Sequence, residues 1–548
     1  MPPAPAPLTI RSAVGAGLRL RVARRARLLS DLAHWRKATA SIQRRQLRSL
    51  VEKAASTEIG RECGFARLAQ LPEAELLGAY RKALPIGDYL AYAERLQRMR
   101  EQGEADVLWP GLVRDFAQTS GTTAGDKYIP VSGEMMRSNY LASLDIFAHS
   151  VRRGISLERL LGGRALFLGG SSSVTANEHG VRTGDLSGLV TRLIRWPLTA
   201  VYSPGREVAL LSHWPTKIDR MARVTMGQDI RMINGMPSWC VALMERILEI
   251  AREQGAGARR MRDIWPNLMM FVHGGVKYAP FEPRIRQLFS GAADGDDIPH
   301  RLELYPASEG FIALQDEAHD PGLRLLTDIG NFFEFVPLEE VDAPDAAAFA
   351  CDEVEKGQRY VVVMSTCAGL FRYLIGDVVE FDTVCDRLDG RAGDGPCRLR
   401  IVGRHRHFIN AFGENLIVEN IEEAVAAASR QSGLIVGEFT AAPVYPGNGR
   451  RAGLEILVEM PAPPGPEQIG AFGRAADEML QRVCHDYEVK RTGDLGMAPP
   501  TITVVPMGTF HRWMESRGKL GGQHKAPRCA NGRETLEAVA AIASPATA

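Results

Sequence analysis

Hydrophobic and polar positions change their spacing along the chain. Near the start, apolar residues recur at helical spacing among Ala, Arg and Glu, which predicts amphipathic helices. Beyond Pro110, short apolar runs alternate with helical stretches and Gly-rich turns, and such runs begin at Arg164, Leu268, Arg301 and Phe332. We expect these runs to be strands whose C-terminal ends lead into loops, where α/β sheets carry their chemistry.

This pattern predicts an α/β protein with two domains. Residues 1–402 are expected to form a large N-terminal domain of β-sheets flanked by helices, mainly helical over residues 1–105. A hinge near residues 382–403 is expected to lead into a small, mobile α+β domain at residues 403–548. The apolar run from Arg359 suits a strand buried on both faces. Helices and strands of the small domain are expected from Ile417, from Leu454, near Phe472 and from Thr501.

Composition and charge are those of an ordinary globular protein. The 548 residues are 45% hydrophobic and 24% charged, with 66 basic against 65 acidic residues. This balance gives no electrostatic reason for a nucleic-acid or membrane partner, and no stretch is long and apolar enough to span a bilayer. The 8 cysteines include no CxxC pair. Their scatter argues against a disulfide framework or a structural zinc site and favours reduced thiols in the cytoplasm.

The N-terminal segment is rich in arginine and has one acidic residue, Asp31, in the first fifty. Such a segment resembles a transit peptide. However, its apolar residues fit one or two amphipathic helices, and the helical pattern continues past Leu47 and Leu50. We therefore favour a structural helical region, with targeting or binding to an anionic surface as the alternative.

The strongest local motif is a run of glycines and small hydroxyl residues that ends in a lysine. It comprises Thr119, Ser120, Gly121, Thr122, Thr123, Ala124, Gly125, Asp126 and Lys127. Backbone N–H groups and hydroxyls in such a run can surround phosphate oxygens, because glycine lets the backbone approach closely. The spacing from glycine to lysine is not that of a Walker A loop. A flexible surface loop is the alternative.

Two further motifs stand near the ends of expected strands. Tyr305, Ser308 and Glu309 offer an aromatic ring for a purine, a hydroxyl for a phosphate and a carboxylate for Mg²⁺. Asp377 follows Gly376, and a carboxylate after a tight glycine turn can accept hydrogen bonds from both hydroxyls of a ribose. Taken singly, each motif has an ordinary alternative: a core tyrosine beside a solvated glutamate, and a Gly-Asp β-turn.

The expected small domain carries two more candidates. Arg404 follows Gly403 at the start of the run GRHRHFINAFGENLIVENIEEAV, and Lys525 follows a Gly-Gly-Gln-His segment near the C-terminus. A lysine presented by a Gly-rich loop is a mobile point charge suited to a phosphate in a transition state. An ordinary tail lysine is the alternative for Lys525.

In this order, the motifs resemble those of the adenylate-forming superfamily of acyl-CoA synthetases, luciferases and peptide-synthetase adenylation domains. Over nearly the whole chain, the sequence is more similar to the acyl-acid amido synthetases of the Gretchen Hagen 3 type. That group is typified by the plant auxin- and jasmonate-conjugating enzymes and includes bacterial relatives. The closer resemblance rests on segments such as GDLSG from Gly184, GMPSW from Gly235, FVHGGV from Phe271 and FRYLIGDVVEF from Phe371.

The resemblance implies a ligase that uses ATP and Mg²⁺. It would activate a carboxylic acid as its acyl-adenylate, release pyrophosphate and pass the acyl group to an amine, predicted to be an amino acid. Residues Thr119, Ser120, Gly121, Thr122, Thr123 and Lys127 would hold the ATP phosphates. Tyr305 would stack on adenine, Ser308 would contact the α-phosphate, Glu309 would bind Mg²⁺, Asp377 and Arg404 would take the ribose, and Lys525 would stabilise charge on the α-phosphate.

The resemblance also implies that Gly274, Gly275 and Val276 line the pocket for the acid. His273 beside them has the chemistry of a base for an incoming amine, although a buried core histidine is the favoured interpretation. Two other functions stay open. One is an acyl-CoA ligase, which the sequence disfavours because the run after Arg404 lacks the Asp and Lys usual in that class. The other is a non-catalytic nucleotide-binding protein of the same fold.

Overall fold

The computed structural model describes most of the chain. The described residues are 10–119, 127–169, 174–191, 198–211, 213–276, 278–279, 281–343, 345–405, 408–409, 412, 416–447, 451–494, 496–517 and 526–543. No helix among them is both long and apolar enough to cross a bilayer.

Helices dominate the beginning of the chain, as the spacing of apolar residues predicts. They are α1 (Ile10–Ser30), α2 (Leu32–Ala54), α3 (Glu58–Glu62), α4 (Phe65–Leu68), α5 (Glu73–Ala83) and α6 (Tyr89–Glu101). Asp31 caps α2, because its side chain accepts a hydrogen bond from the His34 backbone N–H at 2.9 Å. Val22 and Leu29 of α1 are buried against the large domain. The side chain of Arg25 bridges Asp145 and Asp328, each at 2.6 Å. The prediction that this segment is structural is therefore confirmed for residues 10–54.

Strands and helices alternate through the middle of the chain. They are β1 (Asp115–Thr119), β2 (Lys127–Val131), α7 (Gly133–Arg152), α8 (Leu157–Leu160), β3 (Arg164–Phe167), β4 (Thr175–Ala176), β5 (Arg182–Gly184), α9 (Leu186–Thr191), β6 (Tyr202–Ser203), α10 (Arg206–Ala209), α11 (Trp214–Thr225), β7 (Ile230–Asn234), α12 (Pro237–Glu253), α13 (Met261–Ile264), β8 (Met270–Gly274), α14 (Glu282–Ser290), β9 (His300–Ala307) and β10 (Gly310–Gln315). The strands predicted from Arg164, Leu268 and Arg301 are confirmed as β3, β8 and β9.

Strands then dominate until the last quarter of the chain. They are β11 (Leu323–Leu325), β12 (Phe332–Pro337), β13 (Phe349–Ala350), β14 (Arg359–Ser365), β15 (Tyr373–Thr383), β16 (Arg398–Arg404), β17 (Phe408–Ile409) and β18 (Leu416–Ile417). The remaining elements are α15 (Val418–Ser432), β19 (Phe439–Val444), β20 (Gly453–Met460), α16 (Pro466–Val483), α17 (His485–Arg491), β21 (Thr501–Pro506), α18 (Thr509–Ser516) and α19 (Glu534–Ala543). Short 3₁₀ turns occupy Leu198–Ala200, Leu338–Glu340 and Thr492–Asp494.

One 12-stranded sheet organises the large domain, in the order β13-β12-β14-β15-β16-β11-β10-β9-β8-β7-β3-β6. From β6 to β9 the neighbouring strands are parallel, and from β9 to β13 they are antiparallel. Every residue of β14 after Arg359 is buried, which confirms the prediction of a strand covered on both faces. A separate 4-stranded sheet, β2-β1-β5-β4, lies beside the large one in the fold.

The C-terminal elements form a small α+β unit, as predicted. Its 3-stranded sheet has the order β19-β20-β21, and α15 packs on α16. Residues 382–403, expected as a hinge, instead form the end of β15, a loop and most of β16. These two strands pair antiparallel within the large sheet, so this segment is a hairpin. The domain division after residue 402 stays a prediction.

The small unit packs firmly on the large domain. A single hydrophobic cluster contains buried residues of α11, α12 and α14 together with buried residues of α15, α16 and β20. The ring of Phe281 lies 5.7 Å from the rings of both Phe412 and Tyr445. The Lys490 ammonium lies 4.4 Å from the ring centroid of Trp239, a cation–π contact.

Candidate active site

A cavity of about 1570 Å³ lies where the C-terminal ends of β8 and β9 face the β15–β16 hairpin. Its volume exceeds the roughly 300–1,000 Å³ of a pocket for one small ligand. Among its walls are most of the described residues that the sequence motifs single out: Thr119, Lys127, His273, Gly275, Val276, Tyr305, Ser308, Glu309, Asp377 and Arg404. Motifs that lie far apart in the sequence are therefore brought together in one cavity.

Asp377 is the centre of a hydrogen-bonded cluster in this cavity. The Tyr305 hydroxyl donates to Asp377 Oδ2 at 2.7 Å, and the Arg404 guanidinium forms an ion pair with Asp377 Oδ1. The strands determine this arrangement, because Asp377 of β15 stands directly opposite Arg404 of β16. Gly376 has φ +92°, a conformation that favours glycine, and a Cβ there would lie 3.2 Å from His405 Nδ1.

Burial and charge shape the titration of this cluster. Burial, and then the nearby Asp377 charge, raise the pKa of Tyr305 well above its usual value, so the phenol keeps its proton. Burial tends to lower the pKa of Arg404, but Asp377 reverses this effect and the pKa is raised. The carboxylate is thus held between a neutral donor and a permanent cation, and it retains lone pairs for further donors.

Glu309 follows β9 in the tight turn to β10 and is only 9% exposed. Burial raises its pKa, whereas the positive charges of Lys127 and Arg404 act in the opposite direction. A buried carboxylate that lines a cavity beside two cations is suited to bind a hard metal ion carrying anionic oxygen ligands.

The Gly-rich motif connects β1 to β2. Thr119 and Lys127 are the last residue pair of this antiparallel hairpin, and both line the cavity. The Lys127 ammonium lies 5.8 Å from the ring centroid of Tyr89. Residues 120–126, which contain Ser120, Gly121, Thr122 and Thr123, are outside the described part of the chain, as is Lys525.

The predicted acid pocket lies at the end of β8. His273 is 4% exposed, and its ring stacks on Tyr278 at 4.8 Å between centroids. Burial, with a smaller effect from Arg301, lowers the pKa of His273 to about 3. A group with so low a pKa is a poor base at neutral pH, which favours the interpretation as a core histidine.

The glycines after His273 have different roles. A Cβ on Gly274 would lie 2.4 Å from the Leu304 carbonyl oxygen, so glycine is required for β8 to approach β9. Gly275 has φ +82° and lines the cavity with Val276. The prediction that these residues lie at a pocket agrees with the geometry for Gly275 and Val276, whereas Gly274 serves strand packing.

Sequence motifs did not indicate a second set of charged residues along the cavity. Arg301 lies 3.2 Å from Asp297 and covers the Tyr278 ring at 4.1 Å. Tyr278 in turn donates to Asp297 Oδ1 at 2.9 Å. Tyr445 and residues 530–534 of the small unit also line the cavity. None of these positions belongs to a recognisable motif. Tyr445 and residues 530–534 reach the cavity because the small unit packs on the large domain.

Comparison with known families assigns nearly all parts of the chain to one group. The model described as GH3 family N-terminal domain matches residues 28–199 and 173–293. The GH3 family central domain matches residues 324–388, and the GH3 family C-terminal domain matches residues 419–534.

Individual relatives are distant, and some of them cover about nine-tenths of the chain. An indole-3-acetic acid-amido synthetase of Arabidopsis thaliana is 23% identical over 561 residues, covering 90% of each chain. A probable indole-3-acetic acid-amido synthetase of Oryza sativa subsp. japonica is 30% identical over 306 residues, covering 53% of this chain and 66% of the relative. A solved acyl acid amido synthetase in complex with 2,4-DB has a TM-score of 0.56 at 18% identity, covering 94% of this chain and 95% of that chain. The last likeness concerns the fold alone.

Proposed function

The chain belongs to the GH3 family, and on that premise we propose that it joins a carboxylic acid to an amine at the cost of ATP. The acid is activated as an acyl-adenylate with release of pyrophosphate, and the acyl group then passes to the amine with release of AMP. An amino acid is the proposed amine, supported by relatives named as indole-3-acetic acid-amido synthetases and a jasmonoyl-L-amino acid synthetase. The proposed location is the cytoplasm.

The observation that carries this proposal is the cluster of Tyr305, Asp377 and Arg404 at the wall of the large cavity. A carboxylate held by one hydroxyl and one guanidinium still has free lone pairs, so it can accept the two hydroxyls of the ATP ribose. Tyr305 lines the same cavity, and its ring would lie against the adenine. The described residues therefore fit a nucleoside.

The rest of the cavity fits the triphosphate. Lys127, at the start of β2, and Thr119, across the hairpin, both line the cavity. Ser308 would contact the α-phosphate. We assign the remaining phosphate contacts to Ser120, Gly121, Thr122, Thr123 and Lys525, which the sequence predicts for this role.

Glu309 would hold Mg²⁺, because its buried carboxylate lines the cavity and is a hard oxygen ligand. A bound Mg²⁺ would supply neutralisation of phosphate charge. In the first step, a carboxylate oxygen of the acid bonds to the α-phosphorus while the bond to pyrophosphate breaks. In the second step, the amine nitrogen bonds to the acyl carbon, AMP leaves and the nitrogen loses a proton. The protein contributes mainly positioning and electrostatic stabilisation.

The cavity is large enough to hold an acid beside the nucleotide. Gly275 and Val276 form part of its wall near Tyr278, so this end of the cavity is the proposed acid pocket. His273 is buried beside it, and we assign it a packing role. The small unit contributes Tyr445 and residues 530–534 to the opposite wall, which helps to exclude water from the acyl-adenylate.

The proposal is tested by measuring pyrophosphate release from ATP and Mg²⁺ across a panel of carboxylic acids. Each acid is assayed alone, with pooled amino acids and with CoA, and products are identified by mass spectrometry. We expect release that is accelerated by an amino acid, with an amide as the product. Acceleration by CoA alone would identify an acyl-CoA ligase, and no release with any acid would support a non-catalytic nucleotide-binding protein.

Variants link the activity to the site. Asp377→Asn should lower the rate at limiting ATP, because the side chain lines the cavity. The matched control is Asp342→Asn, which removes the same charge from an exposed position and should leave the rate unchanged. Equal rates for both variants would show that the activity does not depend on Asp377.

A further inference from the structure

Three cysteines from separate parts of the sequence meet in the large domain. Cys351 follows β13, Cys385 follows β15 and Cys397 precedes β16. Their Sγ atoms all lie within 4.8 Å of one another. All three side chains are buried, with exposures of 0%, 1% and 2% respectively. The sequence contains no CxxC pair, and these cysteines come together only in the folded chain.

The loop between β15 and β16 positions two of these cysteines. The backbone N–H groups of Asp394 and Gly395 both donate to the Val384 carbonyl, at 3.1 and 3.2 Å. A Cβ on Gly393 would lie 2.4 Å from the Cys385 carbonyl carbon, so only glycine permits this close crossing. These contacts hold the two ends of the loop together, and they thereby determine the distance between Cys385 and Cys397.

The cluster has one apolar side and one polar side. The apolar side is the hydrophobic cluster that contains Phe381 and Leu399. On the other side, Cys385 lines a cavity of about 230 Å³ whose wall also carries three cations and three carboxylates, those of Lys356, Arg387, Arg391, Asp352, Glu355 and Asp394. The Cys385 and Cys397 thiols donate to a single acceptor, the Cys351 carbonyl, at 3.7 and 3.4 Å.

We propose that Cys351, Cys385 and Cys397 bind a thiophilic divalent cation, Zn²⁺, as three thiolates. A solvent molecule from the adjoining cavity is the fourth ligand. Binding breaks three S–H bonds, forms three Zn–S bonds and releases three protons to solvent. The cavity contributes solvent and no net positive charge, because its cations are paired with Glu355 and Asp394.

The geometry requires little movement. A Zn–S bond is about 2.3 Å, so three ligands of a tetrahedral site lie about 3.8 Å apart. Sulfurs separated by at most 4.8 Å reach that spacing when each moves inward by roughly 0.6 Å. The ion would connect β13, β15 and β16, and the latter two strands carry Asp377 and Arg404. The ion would therefore join these elements outside the described walls of the large cavity, and the proposal is independent of the proposed function.

The test uses the full chain, reduced and stripped of metal, titrated anaerobically with Co²⁺ as the probe. We expect one equivalent to bind, with sulfur-to-cobalt charge-transfer absorption and the visible bands of a tetrahedral ion, and Zn²⁺ to displace it. Cys385→Ser and Cys397→Ser should each weaken Co²⁺ binding by about 100-fold or more, because loss of a ligand exceeds the 10–100-fold effect of losing an outer-shell partner. Cys63→Ser, outside the cluster, should bind as the unmodified chain does.

Three results would overturn the proposal. The first is an unmodified chain with all 8 thiols reduced that binds no Co²⁺ with charge-transfer absorption. The second is equal binding by the Cys385→Ser and Cys63→Ser chains. The third is a count of two missing thiols before reduction, which would identify a disulfide in place of a metal site. The titration of the unmodified chain is decisive even if a serine variant fails to fold.

Discussion

Replacing Asp377 with asparagine removes one negative charge and keeps the size of the side chain. In the present structure the carboxylate accepts the Tyr305 hydroxyl and pairs with Arg404. If Asp377 also accepts the two ribose hydroxyls of ATP, the change replaces two charge-assisted hydrogen bonds with neutral ones. We therefore expect a loss in ATP binding and a smaller loss in stability.

The size of both losses, in ATP binding and in stability, can be estimated from the hydrogen bonds and the ion pair of Asp377. A hydrogen bond to a charged group contributes about 1.5–3 kcal/mol and a neutral one about 1 kcal/mol. Two weakened bonds should therefore cost about 2–3 kcal/mol, which raises the KM for ATP by about 30- to 150-fold. The Arg404 side chain is 34% exposed, so solvent screens its pair with Asp377. The free energy of unfolding should fall by about 1 kcal/mol, well below the 3–5 kcal/mol of a fully buried pair.

The assay is the rate of pyrophosphate release as a function of ATP concentration, at a saturating concentration of the accepted acid. Urea unfolding of the same preparation measures stability. Asp342→Asn serves as the control for charge, because that residue is exposed and is not among the described residues of the cavity walls. A folded Asp377→Asn chain with a KM for ATP within twofold of the original would refute the role of Asp377 in nucleotide binding.

Three further predictions concern neighbouring groups. Tyr305→Phe should raise the KM for ATP by about 10-fold through loss of one hydrogen bond to Asp377, and a lower kcat at saturating ATP would contradict a purely binding role. Glu309→Gln should raise the Mg²⁺ concentration for half-maximal rate by about 10-fold or more; an unchanged Mg²⁺ dependence would remove Glu309 from the metal site. Burial lowers the pKa of His273 to about 3 in the folded chain. Below pH 6.5 the unfolded chain binds a proton at this residue that the folded chain does not bind, so the free energy of unfolding decreases as the pH falls. His273→Phe should therefore remove roughly 2 kcal/mol of the stability loss between pH 7 and pH 5 in urea unfolding; an identical loss in both chains would contradict this.

Continuous apolar runs made much of the large sheet predictable. The run from Arg359 became β14, which is buried on both faces, and the run from Arg301 became β9. Gly376-Asp377 could be singled out as a candidate binding element, because a glycine turn before a carboxylate is a local feature of the sequence. Its partners Tyr305 and Arg404 were singled out by the order of the motifs. The Arg404 contact follows from the pairing of β15 with β16, whereas the Tyr305 contact is a side-chain hydrogen bond between strands that are not neighbours in the sheet.

Features that depend on which strands pair and which segments meet in space were not predictable. The segment 382–403 is rich in glycine and charge, but it closes a hairpin because β15 and β16 pair over their length. The cysteine cluster was missed for the same reason, since Cys351 and Cys385 belong to different strand ends. Tyr445 reaches the cavity only because the small unit packs on α14.

The small unit shares a hydrophobic cluster with helices α11, α12 and α14. This cluster limits which segments could be exchanged between members of the family to make a folded chimaera. A chimaera that transplanted only the C-terminal residues would bring a foreign surface against Phe281, Trp239 and their neighbours. Mismatched packing in such a core costs about 1–3 kcal/mol at each overfilled position. The exchangeable module in this fold is therefore discontinuous in sequence. It comprises the C-terminal unit together with the three helices on which that unit rests.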